Sequence, residues 1–362
     1  MTGPIGPKPP RDARKLLLVV ASLLVALAGA EVLLRFFHPV DYRRPIARPP
    51  GHVWMDVVHQ PSTTPGLTYE LRPGAIGEAK DAKGGRVVVN ARGMRGPELV
   101  EPKGARTLRV AVLGDSVAFG FGVEQDQLFS ARLAAKLGAL EDRAHDYEVL
   151  NFAVTGYSSR EEAVVLEAKA LPLAPDVIVV AYYLNDPDFG PVNALRMAFH
   201  PTEAWERSEL LRFLAQKAHQ LELARNGGDY YRWLHAPDTD EWKSVPQAFA
   251  RMHSLAAAKQ LHVVLAIFPT FALDVERGKE RTVFATWDEY GYAPLHAQVR
   301  KAAEQESFTV LDVLDVFRAS GKTPRELARD PDHPNALGHD LAADALGKLL
   351  LERHAEFFGS ER

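Results

Sequence analysis

The sequence predicts an α/β domain in which a parallel sheet is covered by helices on both faces. Three observations point there. Continuous apolar runs with β-branched residues recur at Leu108–Gly114, Val177–Tyr183 and Leu261–Phe268, the pattern of strands buried on both faces. Helical stripes lie between such runs, as in Gln125–Leu140 with Phe129, Leu133 and Leu137 on one face, and repeated strand-helix-strand units form parallel sheets. The chain has 362 residues, 46% hydrophobic and 25% charged, enough for one large core with appendages.

The N-terminal elements set the compartment. Arg11, Arg14 and Lys15 precede an uncharged run from Leu16 to Ala30, which is an export or membrane signal. Apolar character resumes at Val32, Leu33, Leu34, Phe36 and Phe37, and Glu31 and Arg35 have the spacing to pair on one helical face. Length favours an uncleaved anchor over residues 16–37, with residues 1–15 as a cytoplasmic tail and the body exported; secretion after cleavage near Ala30, at Ala28-Gly29-Ala30, is the alternative. Six prolines between Pro39 and Pro65 make residues 38–65 a tether. Short strand patterns at Leu67–Leu71 and Arg86–Asn90 make residues 66–104 a small β appendage whose role composition does not reveal.

Residues 105–358 form the main domain. Its strands are expected at Leu108–Gly114, Tyr147–Val154, Val177–Tyr183, Leu261–Phe268 and Phe308–Val316. Ser158 or Ser159 is available to cap the helix that follows the second strand, with Glu161 and Glu162 in its first turn. An insertion over residues 187–245 interrupts the rhythm, with helical character near Ser208–Leu223 and aromatics at Trp205, Tyr230, Tyr231, Trp233 and Trp242. Because it follows the carboxyl end of a strand, these rings either line a substrate groove or pack the insertion on itself.

In an open parallel sheet the ligand site lies outside the carboxyl ends of the strands, so polar residues just after several strands converge. Here these are Ser116, Gly156 and Asn185, joined by the loop Asp330-Pro331-Asp332-His333-Pro334-Asn335 before the last helix. Ser116 reads as a nucleophile or as a cap of the helix after the turn. A serine hydroxyl needs a base of near-neutral pKa, and His333 is that base; Asp330, three residues earlier, accepts the other ring N–H, while Asp332 points elsewhere. The backbone N–H groups of Ser116 and Gly156 and the Asn185 side-chain amide are the donors for a tetrahedral oxyanion. His339 is expected to cap or pack at the start of the last helix.

Gly114-Asp115-Ser116, Gly156, Asn185-Asp186 and Asp330-x-x-His333, in this order over roughly residues 105 to 355, resemble the four blocks of the SGNH (GDSL-type) hydrolase superfamily of esterases, lipases and carbohydrate acetyl esterases. The resemblance implies a flavodoxin-like three-layer α/β/α domain and carries nucleophile, oxyanion glycine, oxyanion asparagine, acid and base onto Ser116, Gly156, Asn185, Asp330 and His333. The apolar segment, the tether and Val89-Asn90-Ala91-Arg92-Gly93-Met94-Arg95-Gly96 are similar to bacterial membrane-anchored members, implying a cell-envelope or periplasmic location. One position departs: the third block usually has glycine two residues before its asparagine, and this chain has Tyr183, whose ring is expected to narrow the acyl side of the site or reposition Asn185.

Other functions lack their signatures. A net charge of −4 and the absence of basic runs interleaved with aromatics argue against nucleic acid as a partner. Zero cysteines exclude disulfides, cysteine nucleophiles and thiolate metal sites. Gly120-Phe121-Gly122 is not followed by the rest of a nucleotide-binding fingerprint, Asp186 with Asp188 reads as a loop pair, and no cofactor or metal is expected. The expectation is a serine esterase acting on an ester-bearing small molecule, lipid or glycan, such as O-acetyl groups of the envelope. The alternatives are an O-acyltransferase for an envelope polysaccharide or lipid and a non-catalytic glycan-binding module.

Overall fold

The computed structural model describes residues 11–37, 57–77, 85–139, 145–189, 208–225, 229–272 and 282–358. The helix Arg11–Phe37 comes first, and Arg35 donates to Glu31 at 2.7 Å across one turn, the pairing the spacing predicts. Within the 24 residues from Arg14 to Phe37 an 18-residue window has a mean hydropathy of 2.5, so the helix is long and apolar enough to cross a membrane, a test a signal sequence also passes.

Two small antiparallel pairs follow, β1 (His59–Pro61) with β2 (Tyr69–Leu71) and β3 (Ile76–Gly77) with β4 (Val87–Val88). β1 lies within the stretch read as tether. Its order comes from burial: Val58, His59, Tyr69 and Leu71 are all sealed from solvent, and the Arg72 N–H donates to the Val58 carbonyl.

The main sheet has five parallel strands, β5 (Thr107–Gly114), β6 (Asp146–Asn151), β7 (Val177–Tyr183), β8 (His262–Phe268) and β9 (Thr309–Asp312), in the order β6-β5-β7-β8-β9. This is the flavodoxin-like order, whose direction of winding reverses between β5 and β7. Every residue of β7 is buried, as its unbroken apolar run requires. Helices Phe129–Gly138 and Ala336–Glu352 pack on one another, as do Ser159–Val165 and Asp240–Ala257.

Two expected strands end early, each for a local reason. The fifth was expected to reach Val316 but stops at Asp312, whose carboxylate accepts from the Leu314 N–H at 3.1 Å and starts the helix Val313–Ala319. An apolar run of that length does not separate a strand from a buried helix turn. β6 stops at Asn151, not Val154, because the Asn151 side chain turns the chain by accepting from the Ala153 N–H at 3.1 Å.

Gly114 ends β5 with φ +153°, and a Cβ there would meet the Ala118 Cβ at 2.6 Å and the Ala181 carbonyl at 3.0 Å. Gly114→Ala is therefore expected to lower stability by about 2 kcal/mol, seen as a lower urea midpoint with an unchanged slope.

Candidate active site

β5 hands the chain to a one-turn helix, Ser116–Phe119, whose N-cap is Asp115: its carboxylate accepts from the Val117 N–H at 2.8 Å. Ser116 is thus released from capping. Its Oγ lies 2.9 Å from His333 Nε2, and His333 Nδ1 lies 2.8 Å from Asp330 Oδ1. A carboxylate can only accept here, so Nδ1 carries the proton and Nε2 is left to accept from the serine hydroxyl. The same Asp330 oxygen accepts from the Asp332 and His333 N–H groups at 2.9 and 3.0 Å, folding the loop around its own acid. Asp115 Oδ2, 3.2 Å from Ser116 Oγ, is a longer and competing acceptor.

Gly156 and Asn185 follow β6 and β7 at the same carboxyl edge, beside the reversal between β5 and β7. Gly156 has φ +76°, a turn that a side chain would strain. The Asn185 Nδ2 makes no hydrogen bond within the described residues, leaving a side-chain donor uncommitted. Ser158, not Ser159, caps the next helix, its N–H donating to Glu161 at 2.8 Å.

The β appendage braces these loops, a role its composition did not disclose. Arg95 is 1% exposed and donates to the carbonyls of Phe119, Gly120 and Val123 at 2.9, 2.6 and 2.7 Å, satisfying the turn that follows the helix Ser116–Phe119. Burial brings its pKa down to about 10, so it remains charged at neutral pH. That turn presents Phe121, which stacks on His333 with centroids 4.6 Å apart. On the neighbouring loop, the Tyr69 hydroxyl donates to the Thr155 carbonyl at 2.8 Å. The signal available for Arg95 was an arginine flanked by turn-forming glycines beside buried Val89 and Met94.

Tyr183, expected to narrow the acyl side of the site or reposition Asn185, is held by its hydroxyl. Its ring is buried, and its hydroxyl donates to Asp332 Oδ1 at 2.8 Å; the Tyr231 hydroxyl donates to the same oxygen at 2.9 Å, and the two hydroxyls are 2.7 Å apart. Through these two hydroxyls Asp332 ties the loop to β7 and to the insertion. The Pro331 carbonyl accepts from Thr270 and Phe271, fixing the loop on its other side.

Burial works against charge on His333, but its hydrogen bond to Asp330 and the charges of Asp330, Asp332 and Asp115 outweigh it and hold the pKa above its ordinary value. Burial likewise opposes the Asp330 carboxylate, yet His333 and the loop N–H groups hold its pKa down. Glu162 and Asp186, near Asp115, are fully buried, and their carboxyl oxygens have no hydrogen-bond partner among the described residues. Burial first, then their neighbouring carboxyls, pushes both pKa values up from the ordinary carboxylate range. The loop pair Asp186 and Asp188 divides accordingly, since Asp188 accepts from the Tyr230 hydroxyl.

The remaining candidates separate cleanly. His339 is sealed in the core, where burial pulls its pKa to about 3; it packs at the start of the last helix, and its Nδ1 accepts from the Phe129 N–H at 3.2 Å, capping a different helix. Tyr231 and Trp233 are buried in the main core, so these rings pack the insertion onto the domain; Trp205 lies outside the described residues. A cavity of about 700 Å³ between the appendage and β6, lined by Met94, Leu99, Leu128 and Val149, includes none of the predicted site residues. Among the described residues no group of three His, Asp or Glu side chains could hold a metal ion.

Residues 112–341 match the model of the GDSL-like Lipase/Acylhydrolase family. No curated protein matches the chain. Solved structures similar to it include LAE5, an alpha/beta hydrolase enzyme from the metagenome of Lake Arreo, Spain, at 16% identity and TM-score 0.42, covering 70% of this chain and 97% of that one. Another is a catalytic mutant of an acetylxylan esterase from Geobacillus stearothermophilus, at 15% identity and TM-score 0.39, covering 69% and 95%.

Two outcomes are expected from the loop electrostatics. A base must be neutral to act, so kcat/KM for an activated ester should rise with pH through a midpoint above the ordinary histidine value; Asp332→Asn removes one of the charges raising it and should move that limb to lower pH. Tyr183→Phe removes one donor to Asp332 and should lower kcat roughly tenfold with little change in KM, as measured in steady-state kinetics.

Proposed function

The chain belongs to the GDSL-like lipase/acylhydrolase family of ester-hydrolysing enzymes, and from that premise we propose that it cleaves a carboxylic ester through an acyl-Ser116 intermediate. The observation that carries this reading is the hydrogen-bonded line Asp330–His333–Ser116, with 2.8 and 2.9 Å links.

Ser116 Oγ attacks the ester carbonyl carbon while its proton passes to His333 Nε2, and Asp330 stabilises the resulting imidazolium. The carbonyl oxygen becomes an oxyanion, held by the N–H groups of Ser116 and Gly156 and by Asn185 Nδ2. His333 returns the proton to the departing alcohol oxygen, and the C–O bond breaks to leave the acyl-serine. Water then attacks the acyl carbon, gives its proton to Nε2, and the carboxylic acid leaves as Ser116 recovers its proton.

We read the helix Arg11–Phe37 as an anchor that holds the exported domain in a cell envelope, and the substrates as ester-bearing small molecules, lipids or glycans, O-acetyl groups among them. An enzyme of this family is not the non-catalytic glycan-binding module considered above. A sugar hydroxyl in place of the second water would make the same intermediate an O-acyltransferase.

A fluorophosphonate probe is expected to label the wild type and leave Ser116→Ala unlabelled; labelling that survives this substitution overturns the mechanism. His333→Ala should lower turnover at least about a thousandfold. Release of free acid alone, with no acyl group appearing on an added glycan acceptor, supports hydrolysis over transfer.

A further inference from the structure

The helix Glu209–Arg225 of the insertion begins on the N-terminal helix. The Glu31 carboxylate accepts from the Ser208 hydroxyl at 2.8 Å and from the N–H groups of Glu209 and Leu210 at 3.1 and 2.9 Å, so a side chain of the apolar helix serves as the N-cap of the insertion helix. Glu31 lies six residues before Phe37, about 9 Å along the axis. The 24 residues from Arg14 to Phe37 span about 36 Å against a hydrocarbon core of about 30 Å, which puts Glu31 near the boundary between acyl chains and headgroups. A carboxylate is tolerated at that depth when it is paired, and Arg35 and three further donors pair this one.

The helix fastened there carries an apolar stripe. Leu211, Leu214 and Leu221 are 45%, 51% and 53% exposed, and with exposed Ala218 they follow helical spacing along one side. Buried Glu209 and Arg212, ion-paired at 3.2 Å, occupy the opposite side. Exposed leucines on a helix pinned at the depth where amphipathic helices lie have a ready occupant, the lipid surface itself.

We propose that Glu209–Arg225 is an interfacial helix whose Leu211, Leu214 and Leu221 stripe is buried in the boundary of the same bilayer that the helix Arg11–Phe37 enters; the proposal rests on reading that helix as a membrane anchor. It fixes the domain by two contacts where an anchor on a tether gives one. Tyr231, which holds Asp332 beside His333, comes six residues after Arg225, a reach of at most about 20 Å, so the loop of the base lies close above the lipid surface.

The chain has no cysteine, so single labels report cleanly. The full chain carrying Leu214→Cys, Leu221→Cys, Leu24→Cys or Val100→Cys, each with a nitroxide, would be reconstituted in phosphatidylcholine–phosphatidylglycerol vesicles, and collision with oxygen compared with collision with a water-soluble nickel chelate. Oxygen should dominate at positions 214, 221 and 24, and nickel at 100, which is 67% exposed on the body. Nickel dominating at 214 and 221 while 24 stays protected overturns the interfacial helix and leaves the anchor standing. Nickel dominating at 24 as well overturns both.

Discussion

The contact between Ser116 and His333 joins residues 217 positions apart, and the rest of the molecule can be understood as what holds that 2.9 Å distance. Neither side chain can reach the other by local structure. The hydroxyl comes from the turn at the end of β5, the imidazole from the loop that precedes the helix Ala336–Glu352. Parallel register fixes where β5 ends relative to β7, and the reversal of winding between them leaves the cleft into which both loops turn. The fully buried β7 makes that geometry stiff, since any slip of register would expose a continuous apolar run.

Around this contact the protein spends buried polar groups unusually freely, and each falls into one of two kinds. Arg95, Tyr183, Tyr231 and Asp332 are bound on several sides, so they act as rigid struts with little desolvation left uncompensated. Glu162 and Asp186 find no partner among the described residues, and burial pushes their pKa values up instead. The charges of Asp330, Asp332 and Asp115 act together on the imidazole and favour the imidazolium.

Much of this was legible from the chain, and the reasons it was legible are physical. Apolar runs that stop at Gly-Asp-Ser, Thr-Gly and Asn-Asp announce strand ends, and strand ends of a parallel sheet gather at one edge. Ser116, His333 and Asp330 could therefore be paired before any distance was known. What escaped depends on side chains meeting across the sequence. Tyr183 was read by its bulk, while its hydroxyl, 149 residues from Asp332, does the bonding. Arg95 and Tyr69 hold loops that periodicity cannot connect to them, and Glu31 was matched with Arg35 by spacing while its other partners lie in an insertion far downstream. The end of β9 was missed because Val313, Leu314 and Val316 continue an apolar pattern through a change from strand to helix.

Arg95 has one more implication, for how such a gene can be rearranged. The stretch recognisable as the family, residues 112–341, excludes the arginine that satisfies the carbonyls at 119, 120 and 123 and the tyrosine that steadies Thr155. The heritable unit is therefore larger than the recognisable one. Shuffling that transplanted the hydrolase core alone would carry the chemistry away from its scaffolding, whereas the strands from residue 58 onward must travel with it as a single cassette.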